Sequence, residues 1–222
     1  MSHLHIPDGV LAWWVWAPGL ALALLLLVLA SRRTGQADGV QVALRGALGG
    51  LVLAAMAVEL PLGPVDYHLS LAGPLGVLLG AAGAFQVLFV VSAILALAGH
   101  GGFTVIGLNA LVLGSGAALA RPLYRALRTH RSPAMSLALA AGAAQGVSGL
   151  AWFAVVGLAL RFGVAAAPAR LGVLSGIALP LWIVGLLLEG AVGYGLGRFL
   201  AKVRPDLLPG VDALAAPHAG AA

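Results

Sequence analysis

The sequence predicts an all-helical protein that crosses a membrane several times as one bundle. Of its 222 residues, 61% are hydrophobic and 9% are charged, and the mean hydropathy is +1.05, whereas soluble domains carry roughly 25% charged residues. A crossing takes about 20 residues, so the chain has room for about six to eight helices with short loops. The 32 glycines favour close helix packing in lipid. We therefore expect a multi-pass protein of the inner cell membrane.

The net charge and the composition of the two chain ends are those expected of a single membrane domain. The net charge of +5 lies in basic loops beside hydrophobic stretches, so it indicates membrane topology rather than nucleic-acid binding. The first residues lack the basic region of a signal peptide and carry Asp8 instead. We expect one transmembrane helical domain over 1–206 and a flexible cytoplasmic tail, rich in Ala and Pro, over 207–222. The absence of cysteine excludes disulfides and thiolate metal sites.

Seven apolar stretches, separated by polar or glycine-rich interruptions, are the expected helices: 11–30, 41–62, 71–82, 84–99, 104–121, 134–162 and 172–200. Basic residues in short loops mark the cytoplasmic side. Arg32 and Arg33 place the first loop inside, and the arginine-rich 121–133 loop and the basic C-terminal end belong inside as well. One long helix over 71–99 would put the 121–133 loop outside, whereas a split around Gly80–Gly83 puts every basic cluster inside. The prediction is a seven-transmembrane-helix bundle with its N-terminus outside and its C-terminus cytoplasmic.

Four histidines fall on the external face in this topology: His3, His5, His68 and His100. At the N-terminus, imidazoles next to a free amine and backbone amides form a nitrogen-rich chelator of the kind that Cu²⁺, Ni²⁺ and Co²⁺ favour. If Met1 is retained, its amine, two amides and the His3 imidazole make a square-planar set. If Met1 is removed, Ser2 supplies the amine and His3 the amide and imidazole, with His5 nearby. We interpret residues 1–10 as a metal-capture segment; the alternative is a polar start that holds two histidines by chance.

The other two external histidines lie at predicted helix ends. His68 is in the PVDYHLS stretch and His100 is in AGHGGF, where each is either a structural residue or a metal ligand. A ligating histidine usually needs an acceptor for its second ring nitrogen. Asp66 and Asp8 are the candidate acceptors.

Three polar side chains fall within or near the predicted spans. Glu189 lies inside the last helix and Glu59 near the external end of the second. Intramembrane carboxylates are costly and suggest function, so these two either couple protons or pair with neighbouring polar side chains. Asn109 follows a glycine-rich break at 99–102, and it either joins helices or shapes a cavity.

Two other functions use some of the same residues. The GVSG stretch at 146–149 matches the GxSG motif of rhomboid intramembrane proteases, with Ser148 as nucleophile and His100 as base, although rhomboids place the serine before the histidine. A haem membrane protein with His68 and His100 as axial ligands is the other alternative. ATP hydrolysis by this chain is excluded, because its only lysine is Lys202 and it has no GxxxxGK[ST] motif.

Four stretches together resemble the CbiM/NikM family, the substrate-capture membrane subunits of cobalt and nickel energy-coupling-factor transporters: HIPDGVL at 5–11, YHLSLAGPLGVLLG at 67–80, GHGGFTVIGLN at 99–109 and LWIVGLLLEGAVGYGLGRFLAKVRPDLL at 181–208. The resemblance implies a seven-helix bundle whose N-terminal segment enters an external cavity. It implies metal ligation by the terminal amine, a backbone amide, the N-terminal imidazole and a loop histidine. By position, His5, His68 and His100 match histidines of the family. The implied partners are a membrane energy-coupling subunit and cytoplasmic ATPase subunits, with a small accessory membrane subunit as a further candidate.

The chain departs from the family at two places. Family members commonly begin Met-His, whereas here Ser2, His3 and Leu4 precede His5, so the amine and amide ligands do not transfer simply. The loop around His68 lacks the Ser-Cys-Ser-His-Pro pattern of nickel members, which leaves Co²⁺ and Ni²⁺ both open. We predict a non-enzymatic transport subunit that holds no permanent cofactor and binds one of these ions as its transported substrate.

Overall fold

The structure, a computed structural model, describes residues 5–6, 8–58, 60–62, 65–162 and 168–210. This part of the chain forms six α-helices and one short antiparallel hairpin, followed by a 3₁₀ turn at Pro205–Leu207. In chain order the elements are α1 (Trp13–Thr34), α2 (Gly39–Ala57), β1 (Leu60–Leu62), β2 (Val65–Tyr67), α3 (Ala72–Leu97), α4 (Ile106–Arg128), α5 (Pro133–Arg161) and α6 (Pro168–Val203). The predictions for residues 1–4, for Glu59 and for the tail beyond 210 lie outside the described residues.

All six described helices contain a stretch long and apolar enough to cross a membrane. The all-helical, multi-pass prediction is therefore confirmed. The first two helices bury little of their surface within the chain and expose large side chains, such as Leu25 and Val40. Such faces are suited to lipid. The described count of spanning helices is six, so it does not establish the seven that we expected.

Local sequence signals fix several helix ends close to the predicted loops. The Asp38 carboxylate accepts a hydrogen bond of 2.7 Å from the Gln41 amide at the start of α2. Ser132 caps α5 in the same way, with a proline at the first helical position. Gly35, with φ of 61°, ends α1 in a backbone region that glycine adopts readily. The caps of Asp38 and Ser132 pair backbone amides that the helix itself leaves unpaired.

The segment that we expected as two helices, 71–99, is one element that is sharply broken at Gly80. This residue has φ of 71° and ψ of 173°, and an ideal Cβ there would lie 3.1 Å from the Arg121 guanidinium. Four residues earlier, Gly76 packs on the backbone of Ala117, whereas Phe85, after the break, packs against Gly114. The chain thus advances along α4 before Gly80 and runs back after it.

The break divides α3 into a half-helix at 72–79 and a longer arm at 81–97. Eight residues span about 12 Å at 1.5 Å per residue, less than half of a hydrocarbon core of about 30 Å. The split that the charge pattern predicted is therefore present at Gly80, but its first arm is too short to be a spanning helix. The half-helix is almost fully buried, and Gly73 lets it approach the backbone of Ala141 in α5.

Candidate metal centre

Two of the predicted ligands, His5 and His68, lie against each other. Their ring centroids are 5.2 Å apart with an interplanar angle of 36°, and the residues are 7% and 3% exposed. His5 precedes α1, and His68 directly follows β2, so the pair joins two segments that are distant in sequence. At about 2.1 Å per metal–nitrogen bond, two rings at this separation are able to reach one ion.

Burial keeps both imidazoles neutral. Burial, followed by electrostatic repulsion from His100, lowers the pKa of His5 from 6.5 to about 4. Burial, followed by repulsion from His5 and His100, lowers the pKa of His68 to about 3. The neutral ring is the form that binds a metal ion, so the pair is in its ligating state at neutral pH.

His100 lies at the margin of this pair. It interacts electrostatically with both rings. The following residue, Gly101, faces the His5 side chain, since an ideal Cβ at Gly101 would lie 3.6 Å from the Cβ of His5. His100 itself is partly exposed, unlike the other two. Met1, Ser2 and His3 lie outside the described residues. Within the described part of the chain, no group of three or more His, Cys, Asp or Glu side chains is placed to hold a metal ion.

A buried asparagine holds the segment that carries His5. The Ile6 amide donates to Asn109 Oδ1 at 2.8 Å, and Asn109 Nδ2 donates to the Ile6 carbonyl at 3.2 Å. This reciprocal pair resembles one rung of a β-ladder, with a side-chain amide in place of a strand. Ile6, Val10 and Leu11 are buried in the cluster around Trp152. The described hydrogen bonds of Asn109 thus go to the N-terminal segment and not to a neighbouring helix; a role in shaping a cavity stays a prediction.

Asp8 attaches the same segment to the residues that lead into α4. Its carboxylate accepts hydrogen bonds from the Phe103 amide at 2.7 Å and from the Thr104 amide at 2.9 Å, and from the Thr104 hydroxyl. Desolvation raises the pKa of Asp8, but these hydrogen bonds outweigh it and lower the pKa below 3.8. Gly102 makes the contact possible, because an ideal Cβ there would lie 2.5 Å from Asp8 Oδ1. The sequence suggested Asp8 as a partner for a histidine ring; its described bonds instead hold the N-terminal segment against this loop.

The His68 loop is held by Glu189 from α6. One oxygen of this carboxylate accepts from the amides of Ser70 and Leu71, at 2.5 and 3.1 Å, and Glu189 is 1% exposed. Leu71 has φ of 49°, a strained value for leucine. Of the two alternatives for Glu189, pairing with neighbouring polar groups is the one that these contacts show, and it includes the backbone amides of Ser70 and Leu71.

Sequence reasoning missed two further residues that hold this loop. Gln145 in α5 accepts a hydrogen bond of 3.4 Å from the Ser70 hydroxyl. Gly185 in α6 leaves room for Tyr67, whose hydroxyl would lie 2.7 Å from an ideal Cβ at that position. A buried glutamine in an apolar helix was a visible signal for the first residue, whereas one glycine among 32 offered none for the second.

The residues of the two alternative functions are placed differently. Ser148 is fully buried in α5, and its hydroxyl packs against Gly116 of α4, a position that gives a peptide substrate no access. This placement does not favour proteolysis. The haem alternative, with His68 and His100 as axial ligands, stays a prediction.

Comparison with known proteins identifies both family and fold. A family described as CbiM, cobalt uptake substrate-specific transmembrane region, matches residues 5–207. A crystal structure of a transition metal transporter aligns with 90% of this chain and 95% of its own, with a TM-score of 0.69 and 22% identity. A truncated transition metal transporter aligns with 88% of this chain and 99% of its own, with a TM-score of 0.68 and 22% identity. At this identity the two structures show a shared fold. No curated protein matches the chain in sequence.

Proposed function

This chain belongs to the CbiM family of cobalt uptake transmembrane proteins, and from that premise we propose that it captures Co²⁺ or Ni²⁺ for an ATP-driven uptake transporter. The observation that carries the proposal is the buried pair of neutral imidazoles, 5.2 Å apart. Each histidine comes from a segment that a buried polar side chain fixes in place. Such fixed nitrogen donors suit both ions, so the choice between them stays open.

The proposed ligands are His5 and His68, completed by donors from the first residues. Two imidazoles alone leave the coordination sphere of a metal ion incomplete, so further donors are needed. Residues 1–4 precede His5 directly in sequence. His3 and the terminal amine, on Met1 or Ser2, are therefore the proposed remaining ligands, with His100 as a weaker candidate at the margin. The metal is a transported substrate and leaves the site during each cycle.

The proposed topology has seven passes, an external N-terminus and a cytoplasmic C-terminus. The reversal at Gly80 supports it, because the half-helix and the loop before it together make one pass and arm 81–97 makes the next. The cysteine-free chain allows a direct test with single cysteines at two exposed positions. A membrane-impermeant maleimide added to intact cells is expected to label Phe103→Cys and not Gln36→Cys. The reverse pattern would reject the orientation.

Coupling to ATP must come from other subunits in this proposal, because the sequence lacks a nucleotide-binding motif. We propose a membrane energy-coupling subunit and cytoplasmic ATPase subunits as partners, with a small accessory membrane subunit as a further candidate. Capture takes place at the external histidine pair, and release inward follows a conformational change that the partners drive.

The test is metal analysis of the purified, Co²⁺-loaded protein beside a His5→Ala/His68→Ala variant. We expect about one metal ion per chain in the wild type and a loss of bound metal in the double variant, since nitrogen ligands dominate such sites. His130→Ala, in the exposed loop between α4 and α5, is the matched control and should bind metal normally. Equal metal content in the double variant would reject the site. Intact-mass analysis shows whether Met1 or Ser2 provides the amine.

A further inference from the structure

The half-helix 72–79 follows His68 after only three residues, and an ionisable side chain from another helix contacts each of its ends. It is buried between α4 and α5, where Gly73 and Gly76 pack on the backbones of Ala141 and Ala117. These contacts leave it little freedom to tilt. Its position relative to the rest of the bundle therefore determines where His68 lies.

Glu189 acts at the N-terminal end of the half-helix. The first amides of a helix have no intrahelical acceptor, and that end carries a partial positive charge. Glu189 places one carboxylate oxygen on the amides of Ser70 and Leu71, immediately before the first helical residue. The carboxylate thus accepts from the N-cap residue, Leu71, and from the residue before it, and it holds the backbone two and three residues after His68.

Arg121 acts at the opposite end. Its Nε donates to the Val77 carbonyl at 2.9 Å, and its Nη2 donates to the Leu78 carbonyl at 3.0 Å. These carbonyls belong to the last turn before Gly80, where a helix lacks donors and carries a partial negative charge. The guanidinium therefore complements this end as the carboxylate complements the other.

We infer that Glu189 and Arg121 are positioning residues of the metal centre, which clamp the half-helix at its two ends and so hold His68 opposite His5. The inference rests on the proposed function for the identity of the site, but the clamp itself is a property of the metal-free chain. About 12 Å of helix separates the two clamps. A change at the Arg121 end therefore reaches the metal ligand through a rigid element, without any contact between Arg121 and the metal.

The test compares four variants in lipid nanodiscs. Glu189→Ala removes both bonds, whereas Glu189→Gln keeps a carbonyl oxygen that can accept both amides. Arg121→Met removes the donors but keeps an apolar side chain of similar reach. Arg45→Met is the matched control, because Arg45 is also partly buried but donates to the Gln86 side chain rather than to a helix end.

Two readouts separate positioning from general loss of structure. In the metal-free protein, amide exchange over 70–79 is expected to be at least about tenfold faster in Glu189→Ala and Arg121→Met, but unchanged in Arg45→Met. In the Co²⁺-loaded protein, the same two variants should bind at least about tenfold more weakly and show a shifted visible absorption spectrum of the bound ion. Glu189→Gln should restore both readouts to near wild type.

The outcomes are distinct. Wild-type exchange, affinity and spectrum in Glu189→Ala or Arg121→Met would overturn the inference, as would faster exchange with an unchanged spectrum and affinity. Weak binding in Glu189→Gln equal to that in Glu189→Ala would overturn the hydrogen-bonded clamp. If the wild-type protein binds neither Co²⁺ nor Ni²⁺, the proposed function fails. In that case, faster amide exchange over 70–79 in the metal-free Glu189→Ala and Arg121→Met variants still supports the clamp, and unchanged exchange refutes it.

Discussion

Replacing Asn109 with alanine measures how firmly the N-terminal segment is held. The side chain makes two hydrogen bonds with Ile6, of 2.8 and 3.2 Å, and Asn109 is 2% exposed. Each bond contributes about 1 kcal/mol net, and buried groups left without partners cost about 1–3 kcal/mol more. Docking of the segment should therefore weaken by about 2 kcal/mol if water reaches the freed groups, and by about 4 kcal/mol if they stay buried.

This loss is directly measurable by hydrogen exchange over residues 5–11 in the metal-free protein. Protection of a segment that opens locally reports its opening free energy, and each 1.4 kcal/mol is a factor of ten. Exchange in Asn109→Ala should therefore be about 30 to 700 times faster than in the wild type. Asn109→Asp keeps an acceptor for the Ile6 amide but places an oxygen against the Ile6 carbonyl, so it should also accelerate exchange.

Ser115→Ala is the matched control for this experiment. Ser115 lies in the same helix, and its hydroxyl donates only to the Val112 carbonyl of that helix, at 2.7 Å. Its removal should leave exchange over 5–11 unchanged. An acceleration below about threefold in a folded Asn109→Ala protein, less than about 0.7 kcal/mol, would refute the conclusion that Asn109 holds the segment.

Two further outcomes follow from the site. Gly102→Ala should accelerate exchange over 5–11 and weaken metal binding, because its Cβ would meet the Asp8 carboxylate, whereas Gly50→Ala, with open space around it, should do neither; equal effects would reject the contact. Histidine NMR of the metal-free protein should show His5 and His68 neutral at pH 5, because burial lowers their pKa values to about 4 and about 3. Because the folded-state pKa values lie below 6.5, the site is most stable above about pH 6.5 and loses stability as the pH falls toward 4; titration midpoints near 6.5 would contradict burial.

The long apolar helices were predictable because hydropathy alone determines which stretches enter a membrane. The half-helix was only partly predictable. The arginines of the 121–133 loop required a reversal near Gly80–Gly83, and the reversal occurs at Gly80. The first arm runs from Ala72 to the break at Gly80, and the side chains that bind its two ends, Glu189 and Arg121, come from helices far away in sequence. No local pattern in 67–80 identifies these two partners.

The histidine pair was predictable as a shared face, but the way it is held was not. Topology placed His5 and His68 on one side, and the resemblance matched both to family histidines. The hydrogen-bond partners of Asn109 and Glu189 lie 103 and 119 residues away in sequence. At such separations the residue types alone do not predict which residues pair. The sequence did indicate that both residues have buried partners. Each is a polar residue within an apolar helix, where an unpaired polar side chain is energetically unfavourable.

The segments that carry His5 and His68 are anchored in the same way. Asn109 binds the backbone of the residue after His5, and Glu189 binds the backbone two and three residues after His68. In both cases the anchor lies on the C-terminal side of the histidine and contacts main-chain atoms. Because the described bonds of both anchors go to residues after the histidine, we expect substitutions within residues 1–4 to change the metal affinity of the proposed site and to leave the pair of His5 and His68 in place.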